Sequence, residues 1–162
     1  PWVARLAAVL ADASCAPVLV ALGAARDEAA PLVPAAARIV EVAEWAEGLS
    51  ATLRAALRAA EATDATAALV VPVDVSDLPV SVCRRVLDAG AGPERLARAV
   101  FGDAPGHPVL LGRAHWARLA AQLEGDRGAG GYLAAHDAAR VRCEDLWDGA
   151  DHDVPPDYAP SR

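Results

Sequence analysis

The chain reads as an α/β protein, a three-layer sandwich around a mostly parallel sheet. Three observations predict it. Short apolar runs closed by turn residues alternate with longer stretches of helical apolar spacing. No internal repeat interrupts that alternation, and no low-complexity segment appears beyond an alanine bias. The chain is 54% hydrophobic over 162 residues, which suits one globular domain spanning 1–162 with a real core.

The elements follow in order. Trp2 to Ala13 carries Val3, Leu6, Val9 and Leu10 at helical spacing. Pro17 ends it, and Val18 to Leu22 is a buried strand closed by Gly23. Ala24 to Ala37, alanine-rich with prolines, reads as a short helix and loop. Arg38 to Val42 is a short strand. Leu49, Leu53 and Leu57 recur on one face, with Arg54, Arg58 and Glu61 elsewhere, so a helix runs from about Ser50 to Ala62. An apolar run from Ala67 ends at Asp74, and a helix over Ser81 to Leu87 follows. Leu96 to Phe101 and Pro108 to Leu111 read as strands joined by a Gly-Asp-Ala-Pro-Gly loop, a hairpin-like excursion. Arg113 to Leu123 is a helix with Trp116, Leu119, Ala120 and Leu123 inward. Gly125-Asp126 breaks it, and Asp126 is placed to cap the next helix. Val141 to Glu144 is a last strand, and residues 145–162 form a C-terminal tail rich in Asp and Pro.

Composition excludes several functions. The net charge is −7, and the arginines are dispersed, so nucleic acid is not an expected partner. All 15 basic residues are arginine. No lysine can therefore serve as nucleophile, Schiff base or phosphate clamp. Cys15, Cys83 and Cys143 are widely spaced and lack a partner base, which fits a reduced, cytoplasmic protein and not a thiol nucleophile. Charged residues interrupt every apolar run short of a membrane span. His115, His136 and His152 show no metal-ligand spacing and read as surface residues.

Asp74 is the most informative position. A carboxylate at the C-terminal end of a buried strand is where open α/β sheets place ligand and metal chemistry. The local sequence equally allows a turn aspartate that caps the next helix.

Several segments together resemble the MobA-like NTP transferases, which include the molybdenum-cofactor cytidylyl- and guanylyltransferases. Trp45-Ala46-Glu47-Gly48-Leu49-Ser50-Ala51-Thr52-Leu53-Arg54 is similar to the family's W-x-x-G-(M/L)-(S/G)-x-S-L segment. The strand and helix around Asp74 resemble its strand ending in Asp, with Asp74-Val75-Ser76 in place of Asp-Gln-Pro. Gly106-His107-Pro108-Val109-Leu110-Leu111 is similar to its G-H-P segment. Gly125-Asp126-Arg127-Gly128-Ala129 resembles its G-D-x-G loop, with Gly130 where the family often has Arg. Asp151 to Tyr158 resembles its closing D-(I/V)-D-T-P-E-D. The W-A-E-G and G-H-P segments look most like the cytidylyltransferase side. Pro1-Trp2-Val3 matches the family's first helix. The family's opening strand and glycine-rich phosphate loop, L-A-A-G-x-G-x-R-x-G-x-x-K, would therefore lie upstream, and the expectation is that those residues exist.

The resemblance implies a Rossmann-like nucleotidyltransferase that moves CMP from CTP to a phosphorylated acceptor, molybdopterin, with Mg²⁺. Asp74 and Asp153 would hold the metal, Asp74 being catalytic. Read alone, Asp153 is a solvated tail charge. Gly48, Ser50 and Thr52 would contact the nucleotide through free N–H groups and hydroxyls, or form a plain helix start. Arg54 could reach a phosphate or stay an exposed helix arginine. Gly106, His107 and Asp126 would face the acceptor; His107 also reads as a loop histidine. A molybdoenzyme client is the implied protein partner. The alternative is a non-catalytic nucleotide-binding or molybdoenzyme maturation module.

Overall fold

The computed structural model describes residues 1–150. In chain order the elements are α1 (Trp2–Asp12), β1 (Leu19–Leu22), α2 (Arg26–Ala29), β2 (Arg38–Glu41), α3 (Leu49–Glu61), β3 (Ala67–Val70), α4 (Val80–Asp88), β4 (Leu96–Phe101), β5 (Ala104–Gly112), α5 (Arg113–Gln122), α6 (Gly130–Ala135) and β6 (Ala139–Arg142). Short 3₁₀ turns cover Ala30–Leu32 and Trp45–Glu47.

The strands form two sheets. β1 and β2 pair in parallel, and the larger sheet has the order β3-β5-β4-β6. β5 runs against both β3 and β4, while β6 is parallel to β4. Three strands of the larger sheet therefore point one way and one opposes them, and the expected mostly parallel α/β sheet holds. β1 and β3 each keep one edge unpaired among the described residues. Their residues are all half-buried, whereas the second half of the central β5 is buried throughout.

Alternation along the strands splits the core between two faces. Leu96, Val109 and Leu111 join Leu53 and Leu57 of α3, Trp116 and Leu119 of α5, and Leu133 of α6. Ala97, Ala99 and Leu110 join Leu6 of α1 and Val82, Cys83 and Val86 of α4 on the other face. Helices on both faces of one sheet give the three layers. Trp116 is fully buried, and its Nε1 donates to Leu111 O at 2.8 Å, satisfying the one polar atom of the ring.

Several local readings differ, among them the last strand, which is Ala139–Arg142 and not Val141 to Glu144. The strand ends at Val70 and not at Asp74. Pro72 carries no N–H for a ladder, and the chain leaves the sheet as a turn. β5 begins at Ala104, because the hairpin with β4 continues to Phe101↔Ala104 across a register shift. Leu49 is exposed at 52% although it shares the heptad-like row of Leu53. It opens α3, and a first-turn side chain lies over the chain before the helix and not over the core. Asp126 caps no helix: Ala129 precedes α6 and no side chain caps it.

Candidate active site

The candidate residues gather at one end of the larger sheet. Arg113 follows the last residue of β5, and Gly112 pairs with Ala67 at the start of β3. Arg113 Nη1 donates to Thr63 O and Ala65 O at 2.7 and 2.9 Å, and Nη2 donates to Glu61 O at 2.7 Å. These bonds satisfy the carbonyls at the C-terminus of α3 and fix that end beside the start of β3. A helix of 13 residues is about 20 Å long, so its Gly48 end reaches the level where β3 exits. β5 is antiparallel to β3 with Val70↔Val109, so the residues before Val109, His107 among them, leave the ladder beside the exit of β3.

Asp74 sits in the turn after that exit. Buried Val75, Ser76 and Leu78 anchor the segment behind it, and Asp77 pairs with Arg5 at 2.9 Å. Asp74 Oδ1 is buried and accepts no hydrogen bond. Such an oxygen costs about 1–3 kcal/mol unless a partner satisfies it. A hard cation is a fitting occupant, because it binds oxygen and one or two carboxylates suffice for Mg²⁺ when phosphates and water complete the shell. Among the described residues no group of three or more His, Cys, Asp or Glu converges on a metal position. Asp153 and His152 lie outside the described residues.

The start of α3 forms the second part. Gly48 has φ of 106°, a conformation open to glycine, and its Cα faces Gly125 and the Asp126 carboxylate. Ser50 N donates to Gly125 O at 3.0 Å. The loop after α5 is thereby clamped onto the helix start, and Asp126 joins Gly48. Ser50 is fully buried, and its Oγ has no partner. Thr52 is half-buried on the first turn. Arg54 is engaged: Nη2 pairs with Glu47 at 2.6 Å, and Nη1 donates to Leu123 O at 2.8 Å.

The third part is Gly106-His107-Pro108. It fills the register shift between β4 and β5, where Arg98 Nη2 donates to Gly106 O at 3.3 Å. A Cβ on Gly106 would lie 2.7 Å from the Phe101 ring, so glycine is needed for that packing. Phe101 in turn meets Trp147 edge-on at 5.4 Å. His107 is half-buried.

One cluster was not visible in the sequence. His115 Nδ1 and Tyr132 OH are 2.9 Å apart, and the Tyr132 ring stacks on His136 at 3.9 Å. The Tyr132–His136 spacing of one helical turn was its only trace. These histidines are half-buried, not free surface residues. They lie beside Glu94, at the opposite end of β4 from Gly106.

Comparison with known proteins settles the kinship. The model of the MobA-like NTP transferase domain matches residues 1–141. The chain belongs to this family. It is accordingly an NTP-dependent nucleotidyltransferase, with a nucleoside triphosphate as substrate. The fold is similar to that of Rv0371c from Mycobacterium tuberculosis H37Rv, with a TM-score of 0.72 and 21% identity over 87% of this chain and 72% of that one. It is also similar to the same protein in complex with manganese, at 0.68 and 20% over 87% and 74%. A nucleotidyl transferase from Methanothermobacter matches at 0.69 and 16% over 86% and 69%. A search of curated proteins returned no match. No helix among the described residues is long and apolar enough to cross a membrane.

Proposed function

We propose that the protein transfers CMP from CTP to a phosphorylated acceptor, molybdopterin, in a Mg²⁺-dependent reaction. The observation that supports this most is the buried, unpartnered Oδ1 of Asp74 at the exit of β3. Asp74 would hold the cation from the protein side, with Asp153 as the second carboxylate. When bound, the cation would neutralise charge on the α- and β-phosphates and on the departing pyrophosphate. The manganese complex of Rv0371c supports a divalent ion in the family.

The start of α3 is the nucleotide side of this reading. Gly48 has no side chain to obstruct a base or ribose, and Thr52 offers a hydroxyl on the first turn. Ser50 acts by position: its buried side chain and its bond to Gly125 hold the helix start still. CTP is favoured by the W-A-E-G segment ending in Gly48. Gly106 and His107 form the acceptor side, where the imidazole donates to a phosphate oxygen. The resemblance assigns Asp126, on the loop clamped at Gly48, to the acceptor as well. The acceptor phosphate attacks the α-phosphorus in line, the new P–O bond forms as the α–β bridge breaks, and pyrophosphate leaves. No covalent enzyme intermediate is required, so positioning and charge neutralisation carry the rate. The product would pass to a molybdoenzyme client in the cytoplasm.

Thermal-shift binding with CTP, GTP and ATP, each with Mg²⁺ or Mn²⁺, tests the reading on the wild type and on Asp74→Ala. The largest shift is expected with CTP, and Asp74→Ala should lose most of its metal-dependent part. A larger shift with GTP would reassign the base. No shift with any nucleotide would overturn the proposal. Equal shifts for both proteins would remove Asp74 from the metal site.

A further inference from the structure

Arg98 on β4 and Arg140 on β6 stand opposite each other in direct parallel register. Parallel neighbours are about 4.8 Å apart, and paired residues project from the same face. Like charges placed opposite across a strand pair are destabilising. Among the described residues neither arginine forms an ion pair. Among the described residues each is held only by a backbone carbonyl of the β4–β5 hairpin. Arg98 Nη2 donates to Gly106 O at 3.3 Å, and Arg140 Nη2 donates to Asp103 O at 3.1 Å. Arg98 Nε is buried without a partner. Burial, and then the charge of Arg140, lower the pKa of the Arg98 guanidinium from its ordinary value.

Both arginines line a cleft of about 420 Å³ under α6. Its remaining wall is mostly apolar, from Pro105, Leu133, Ala134 and Ala138. Gly130 also lines the cleft, and a Cβ there would lie 3.9 Å from Arg98 Nη1, in ordinary contact with the guanidinium. An adjacent pair of guanidiniums without an ion-pair partner among the described residues, beside an apolar wall, fits a ligand with an anionic head and an apolar body.

We propose that this cleft binds an organic phosphate monoester, with Arg98 and Arg140 on the phosphate and the α6 wall on the ester group. One guanidinium fork satisfies a carboxylate. Two guanidiniums carry two positive charges, of which a carboxylate offsets one, whereas a phosphate monoester carries about −1.5 to −2 at pH 7 and has three terminal oxygens to share between them. Asp137, exposed on the same cleft, opposes the anion and sets its affinity below the maximum. The cleft lies on the hairpin that carries Gly106, so the inference rests on the acceptor side of the proposed function; binding needs neither nucleotide nor metal, so its failure is distinct from a failure of Asp74 or of CTP.

Calorimetric titration of the full chain with phenyl phosphate, inorganic phosphate and benzoate, without nucleotide or metal, tests the site. Phenyl phosphate should bind more tightly than either of the others. Arg98→Gln and Arg140→Gln should each weaken it roughly tenfold or more. Asp137→Asn, which tolerates the left-handed backbone there, should tighten it. Arg140→Gln should not lower the thermal midpoint, because it relieves like-charge repulsion. If Arg98→Gln does not fold, exposed Arg140 carries the test alone. The proposal is overturned if the wild type does not bind phenyl phosphate, if Arg140→Gln binds it as the wild type does, or if benzoate or inorganic phosphate binds equally well.

Discussion

Replacing Gly48 by alanine should cost more than backbone strain alone. Gly48 has φ of 106° and ψ of −167°, a region that only glycine adopts freely. Strain of that kind costs about 1–3 kcal/mol. The added Cβ would also press on the Asp126 carboxylate and lie 2.7 Å from Gly125 O and 2.8 Å from Gly125 C. The Gly125 atoms are backbone, so the loop after α5 must move, and overpacking of this kind costs about 1–3 kcal/mol more. The movement pulls on the Ser50 N–H bond to Gly125 O, the clamp at the nucleotide side. At about 2–4 °C per kcal/mol for a chain of this size, the thermal midpoint should fall by roughly 5–20 °C. Gly125→Ala is the control. Gly125 has φ of 57° and no atom within 4 Å of a built Cβ, so it should show only the left-handed strain of about 1–2 kcal/mol. Differential scanning calorimetry on both variants separates strain from packing. If Gly48→Ala is no more destabilising than Gly125→Ala, the clamp between α3 and the loop is not a structural contact of consequence.

Other outcomes follow from the same structure. Asp74→Asn should leave stability within about 1 kcal/mol while metal-dependent CTP binding, followed by calorimetry, falls at least roughly tenfold. Trp116→Phe should lose about 1–3 kcal/mol in urea unfolding, because the Leu111 carbonyl loses its donor in a buried site. Hydrogen bonds from Arg85 hold the Asp145 carboxyl below its ordinary range. Its stabilisation is therefore present above the ordinary carboxylate pKa and lost as pH falls through the lower folded value. Below a pH of about 4 the unfolding midpoint of the wild type should fall more steeply than that of Asp145→Asn, and high salt should shrink the difference. Burial pushes the Cys83 thiol up to about 12, so iodoacetamide at a pH of about 8 should leave it unlabelled in the folded protein by mass spectrometry.

Much of the fold was legible because its signals are local. The rows of Leu53 and Leu57 on α3 and of Trp116 and Leu119 on α5 mark buried helix faces, and these residues are in the core. Glycine and proline set most boundaries within a residue or two. Position along the chain was enough to order the family segments. The candidate site was legible only as residue types. The apolar run points to a strand ending at Asp74, and the strand stops short of it because Pro72 outweighs that run. Local sequence points Asp126 to the helix start next along the chain, but it packs on Gly48, far away in sequence.

By itself the sequence determined the helices and strands, the faces they bury, and the set of carboxylates, glycines and histidines available for nucleotidyl transfer. Periodicity and turn chemistry depend on neighbours a few residues apart, so one chain suffices to read them. Only the tertiary structure decided that Asp74 keeps a buried oxygen without a partner, that the loop at Gly125 clamps the start of α3, and that Arg98 meets Arg140 across two strands. Register and desolvation arise between segments distant in the chain, and they turn a list of reactive residues into a site.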